Sequence, residues 1–109
     1  MKLMNEVNRI VKFKAAVEKN PDNPLARYSL ANECYKLGLY HEAIAEIGEY
    51  LKIAEDQGAV YRMLAECYLN VGDSEMAREA YFKGIEAATK HGHPGMAEEF
   101  EEAIDMIED

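Results

Sequence analysis

Histidines, cysteines, paired carboxylates and tyrosines are the side chains of this 109-residue sequence with chemistry to offer. His91 and His93 flank Gly92, a spacing that presents two imidazoles to one metal ion, but no third ligand is indicated. A helix-ending loop, with His91 complementing the C-terminal helix dipole, accounts for the pair better. His41, just after Gly38, reads as a surface residue at a turn. Cys34 and Cys67 are too few and too widely spaced for a zinc framework, and nothing basic is adjacent to lower either thiol pKa. Both read as buried thiols in a reducing cytoplasm. Glu98-Glu99 and Glu101-Glu102 have the spacing of a solvated helix face. The sequence contains no phosphate loop, no nucleophile elbow and no His-Glu-x-x-His, so no catalytic residue, no metal and no cofactor is expected.

Tyrosine carries more. The seven tyrosines fall at 28, 35, 40, 50, 61, 68 and 81, and at helical spacing most of them read as core. Tyr28 and Tyr35 differ. Leu30, Ala31 and Cys34 turn inward on one helix, so Tyr28, Asn32, Tyr35 and Lys36 fall on its other side. A later stretch places Ala59, Arg62, Glu66, Leu69 and Asn70 likewise. Tyr, Arg and Asn anchor extended peptides because they give apolar area with hydrogen-bonding ends at low entropy cost. The candidate peptide-binding set is therefore Tyr28, Asn32, Tyr35, Lys36, Arg62, Glu66, Leu69 and Asn70.

The elements that must position these residues are helical. Fifteen Ala, sixteen Glu and a single Thr favour helices over strands. The length suits one domain. Twelve Lys and Arg against 21 Asp and Glu leave a net charge of −9, which repels phosphate backbones and anionic lipid, so neither nucleic acid nor membrane is an expected partner. The charge is uneven: residues 1–20 sum to +3, whereas residues 92–109 carry seven acids and no Lys or Arg. The first residues turn polar before an export signal forms, and no apolar run reaches about eighteen residues, so a cytoplasmic location is expected.

A 34-residue period organises the middle of the chain. Leu30-Ala31, Gly38 and Ala43 recur as Leu64-Ala65, Gly72 and Ala77. The Glu-Cys-Tyr triplet slips by one residue, so that Tyr68, not Cys67, matches Cys34. Each copy reads as two helices around a glycine turn. Leu30, Ala31, Cys34 and Leu37 lie on one face before Gly38, and Ala43, Ile44, Ile47, Tyr50 and Leu51 form the stripe after it. Tyr61, Leu64, Ala65 and Tyr68, then Ala77, Tyr81, Gly84 and Ile85, repeat the pattern, with Asp73 or Ser74 as N-cap.

These residues resemble the tetratricopeptide repeat, with an apolar and a small residue adjacent in the first helix, a turn glycine, and an alanine in the second. Arg27 and Tyr50 depart from the pattern, standing where the family prefers a large apolar and a small residue. The resemblance implies an all-α, right-handed α-α superhelix of six antiparallel helices, with two full repeats at residues 24–57 and 58–91. Two copies need flanking surface to bury their stripes. Residues 1–20, with Leu3, Val7, Ile10, Val11, Phe13, Lys14 and Val17, read as the second helix of a degenerate repeat. Residues 94–109 read as an acidic capping helix started by Pro94, with Met96, Phe100, Ala103, Ile104 and Ile107 on one face.

What the resemblance implies for function is a non-catalytic scaffold that holds a peptide or helix of another protein on its concave surface, where Tyr28 and its companions would lie. Some members clamp a terminal carboxylate with Lys, Arg and Asn; Tyr28 and Glu66 interrupt that pattern here. The second expectation is weak self-association, the basic first helix of one molecule meeting the acidic cap of another.

Overall fold

Several helices in this protein start or stop where a side chain or a glycine turn satisfies the unpaired groups of a terminal turn. Asn23 Oδ1 accepts from the backbone N–H of Leu25 at 3.0 Å while Pro24, which has no N–H to satisfy, occupies the first turn. Asp73 Oδ1 accepts from the N–H of Met76 at 3.0 Å. Asp56 Oδ2 accepts from Gly58 and Val60 at 2.8 and 2.9 Å. Gly38 and Gly72, 34 residues apart, take φ of 75° and 82° and close matching turns. There the N–H of Leu39 donates to Cys34 O and that of Asp73 to Tyr68 O, both at 2.9 Å.

The computed structural model describes residues 2–108, with side chains from residue 4. Leu3, expected on the first helix's stripe, and Asp109, expected in the cap, lie outside the described side chains. Six helices and no strand occur among the described residues: α1 (Lys2–Lys19), α2 (Pro24–Lys36), α3 (Tyr40–Ile53), α4 (Ala59–Asn70), α5 (Ser74–Lys90) and α6 (Pro94–Asp105). They pack as adjacent neighbours within two compact units, residues 1–54 and 55–109.

In the first unit α1 packs on α2 and α2 on α3. Ile10 and Val17, then Leu30, Ala31 and Cys34, then Ala43 and Ile47 are the buried apolar residues of the three helices. Arg27 fills the place of a large apolar side chain by a different route. Its Nε donates to Pro21 O at 3.0 Å and its Nη1 to Glu46 Oε1 at 3.0 Å, so the guanidinium joins the α1–α2 loop, α2 and α3. The expected α1 stripe is only half used. Ile10 and Val17 are buried, but Val7 and Val11 are exposed, because a stripe that wide exceeds what the neighbouring helix covers.

The second unit packs α4 on α5 and α5 on α6. Ala65, Ala80, Tyr81 and Phe100 are its buried centre, ringed by Leu64, Tyr68, Ile85, Met96, Ala103, Ile104 and Ile107. The Tyr81 and Phe100 rings meet at 5.5 Å between centroids. Gly84 makes room for them: a Cβ there would stand 2.7 Å from Phe100 Cε2 and 3.0 Å from Tyr61 Cβ. On α6, Ala97 and Phe100 take the buried face while Glu98, Glu99, Glu101 and Glu102 stay exposed. No helix among the described residues is long and apolar enough to cross a membrane.

Candidate functional site

On α2 the spacing of 28, 32 and 35 puts Tyr28, Asn32 and Tyr35 on one face, with Lys36 at its edge. All three are half-buried and Lys36 is exposed. The tyrosines do not stand alone. The Tyr28 ring packs against Tyr50 of α3 at 5.7 Å between centroids, and the Tyr35 ring meets Tyr40 edge-on at 6.3 Å. Tyr50, a departure from the repeat pattern in sequence, thus has a partner ring. Asn32 sits between the two aromatic pairs.

The corresponding face of α4 is organised differently. Arg62 is half-buried: its Nε and Nη2 donate to Glu99 Oε2 and Oε1 at 2.6 and 2.9 Å, and its guanidinium lies 5.4 Å over the Phe100 ring. The paired carboxylate makes Arg62 hold its proton more firmly than usual, and the same hydrogen bonds pull the Glu99 carboxyl below its ordinary value. Glu66 is half-buried; Asn70 is exposed and its Nδ2 donates to Glu66 O at 2.8 Å. Leu69 borders a shallow apolar cleft with Tyr81, Ala103, Met106, Ile107 and Glu108.

The remaining chemistry-bearing residues do not converge. Cys34 and Cys67 are both buried. Burial pushes the Cys34 thiol up to about 11, with Glu42 adding to the effect, so it is protonated at neutral pH. His91 caps α5, and its Nε2 stands 3.7 Å from Glu55 Oε1. His93 turns to Gln57 at 2.7 Å. Glu55 also pairs with Lys90, whose hydrogen bond holds its carboxyl below the usual range. Among the described residues no three His, Cys, Asp or Glu side chains gather as metal ligands.

Two paired carboxylates escaped the reading of the sequence. Glu33 is buried to 5% exposure on α2, with Arg9 of α1 at 3.5 Å and Lys36 at 3.9 Å from Oε1, while Oε2 has no hydrogen-bond partner. Its equivalent one period later is Cys67, also buried, so the slipped triplet carried the signal. Glu99 looked like one acid of a solvated face, and nothing local marks it as the partner of Arg62, 37 residues away.

No family model matches the chain. It is 24% identical over 78 residues to anaphase-promoting complex subunit 3 of Dictyostelium discoideum, a tetratricopeptide-repeat protein, with 72% of this chain aligned. The chain spans about 8% of that relative's length. The solution structure of protein BPP2914 from Bordetella parapertussis superposes with a TM-score of 0.74 at 20% identity, over 88% of this chain and 84% of that one. The fold is tetratricopeptide-like. The small residues that recur at this period, Ala31 and Ala43 on the packed pair α2 and α3 and Ala65 and Ala77 on the packed pair α4 and α5, are all fully buried. Beside that buried face, α2 carries the tyrosines that meet Tyr50 and Tyr40 of α3, and α4 carries Arg62, which meets Glu99 of α6.

Proposed function

We propose that the chain is a non-catalytic protein–protein interaction module that holds a peptide or helix of another protein along the face of α2 with Tyr28, Asn32, Tyr35 and Lys36 and the corresponding face of α4 with Arg62, Glu66, Leu69 and Asn70. The observation that carries this reading is the pair of aromatic contacts on either side of Asn32. Rings already held by Tyr50 and Tyr40 lose little freedom when a ligand covers them, which lowers the entropic cost of binding. The Asn32 amide offers a donor and an acceptor to an extended main chain. The tetratricopeptide-like fold supports the class of function. The Dictyostelium relative is by name a subunit of a complex, and the proposal for this chain is likewise an association with another protein.

The test begins with a peptide array probed with the purified protein, followed by titration of the best peptide into labelled protein monitored by NMR. Chemical-shift changes are expected at the Asn32 side-chain amide and along the named faces. Asn32→Ala should lower affinity about tenfold, or about 1.4 kcal/mol, with its melting temperature unchanged. Shifts confined to the outer faces of α3 and α5, full affinity in Asn32→Ala, or an array without a binding peptide would each refute the reading.

A further inference from the structure

Two apolar surfaces at opposite ends of the sequence are left uncovered, and they are complementary. On α1, Met4, Val7 and Val11 recur at helical spacing and are 59%, 46% and 61% exposed. Lys12 follows this stripe and Lys14, which stands 3.9 Å from Glu42 of α3, lies one turn beyond Val11, in a segment where five Lys and Arg stand against two Glu. In the second unit, Leu69, Tyr81, Ala103, Met106, Ile107 and Glu108 line the shallow cleft, with Met106 82% exposed at its rim. Glu102 lies one turn before Met106, Asp105 beside it, and Glu108 on the cleft itself, with no Lys or Arg in the segment.

We infer that the exposed face of α1 in one molecule docks into the Leu69–Met106 cleft of a second copy of the same chain. Val11 and Val7 meet Met106 and Leu69, while Lys12 faces Glu102, Asp105 and Glu108 and Lys14 exchanges its loose pairing with Glu42 for the same acids. The contact is heterologous, since it joins two different surfaces, one from each unit, and it therefore extends beyond a dimer unless rotation closes a ring. A second copy is the occupant because both halves of the charge and apolar match lie on this chain. The few side chains on each side place the interface below the standard size of a stable complex, so association is weak and concentration-dependent. The net charge of −9 opposes it at long range. At about 0.1 M ionic strength the Debye length of about 10 Å hides that repulsion and leaves the facing ends to act.

Sedimentation velocity and light scattering at that ionic strength test the contact with two single variants, Val11→Glu and Met106→Glu, both at exposed positions and checked for unchanged melting. The wild type should rise with concentration toward and beyond twice the mass of one chain. Each variant alone should stay at the mass of one chain, because every head-to-tail contact needs both surfaces. Mixed in equal amounts, the two variants should form a one-to-one pair and stop there, since one intact α1 face and one intact cleft remain. A wild type that stays monomeric up to millimolar concentration, a variant that still associates alone, or a mixture that stays monomeric overturns the inference.

Discussion

Gly84→Ala and Gly48→Ala are the same chemical change on two helices, and the structure assigns them opposite signs. Both glycines lie inside helices, α5 and α3, where Ala is favoured over Gly by about 1 kcal/mol. At Gly48, exposed on α3, an added Cβ meets nothing within 4 Å, so the full propensity gain of about 0.5–1 kcal/mol is expected. At Gly84 the Cβ would stand 2.7 and 2.8 Å from the Phe100 ring and 3.0 Å from Tyr61 Cβ. Phe100 is fully buried against Tyr81, so its ring has no open space to swing into. Overpacking of this kind costs roughly 1–3 kcal/mol, and two contacts under 3.0 Å on a buried ring put it in the upper part of that range, above the propensity gain, for a net loss of about 1–2 kcal/mol. At about 4–8 °C per kcal/mol for a small domain, Gly48→Ala should melt several degrees above the wild type and Gly84→Ala several degrees below it. Circular dichroism melts of the two variants decide the matter. Replacing Phe100 by Leu in the Gly84→Ala background should recover part of the loss, a coupling of about 0.5–3 kcal/mol in a double-mutant cycle. If Gly84→Ala melts as high as Gly48→Ala, the account of Phe100 as the closely packed centre of the second unit is wrong.

Two further outcomes follow from the titrating groups. Glu55 and Glu99 both have folded pKa values held below the ordinary carboxylate range, by Lys90 and by Arg62, so their stabilisation is complete above the unfolded value of about 4.3 and is lost as pH falls through the lowered folded values. Melts below about pH 4 should decline, and Arg62→Ala should flatten the decline; an equal slope in the variant refutes the pairing. Cys34, pushed up to about 11, should resist iodoacetamide in the native protein at pH 8 and react once denaturant is added, and its contribution to stability should be intact below about pH 9 and fade as pH rises through 11. Native-state alkylation at the rate of a free thiol would contradict its burial.

The sequence by itself determined the helices and their ends. The 34-residue recurrence of Leu-Ala, Gly and Ala sets hairpin geometry through local rules: a glycine at φ of 75° and 82° stops the first helix of each, Asn23 caps the first helix of the earlier hairpin and Asp73 the second helix of the later one. Burial of Leu30, Ala31, Ala43 and Phe100 followed from periodicity alone, because a helix with one apolar stripe has one way to hide it. The candidate face of α2 was legible for the same reason. Tertiary structure alone decided what those side chains touch. Contacts over 37 residues, such as Arg62 with Glu99, depend on the rotation of one helix about another, which no local pattern encodes. The Tyr28–Tyr50 contact, the burial of Glu33 beside Arg9 and the exposure of Val7 and Val11 belong to that same level. A period specifies which residues face inward; only packing specifies which of them find a neighbour.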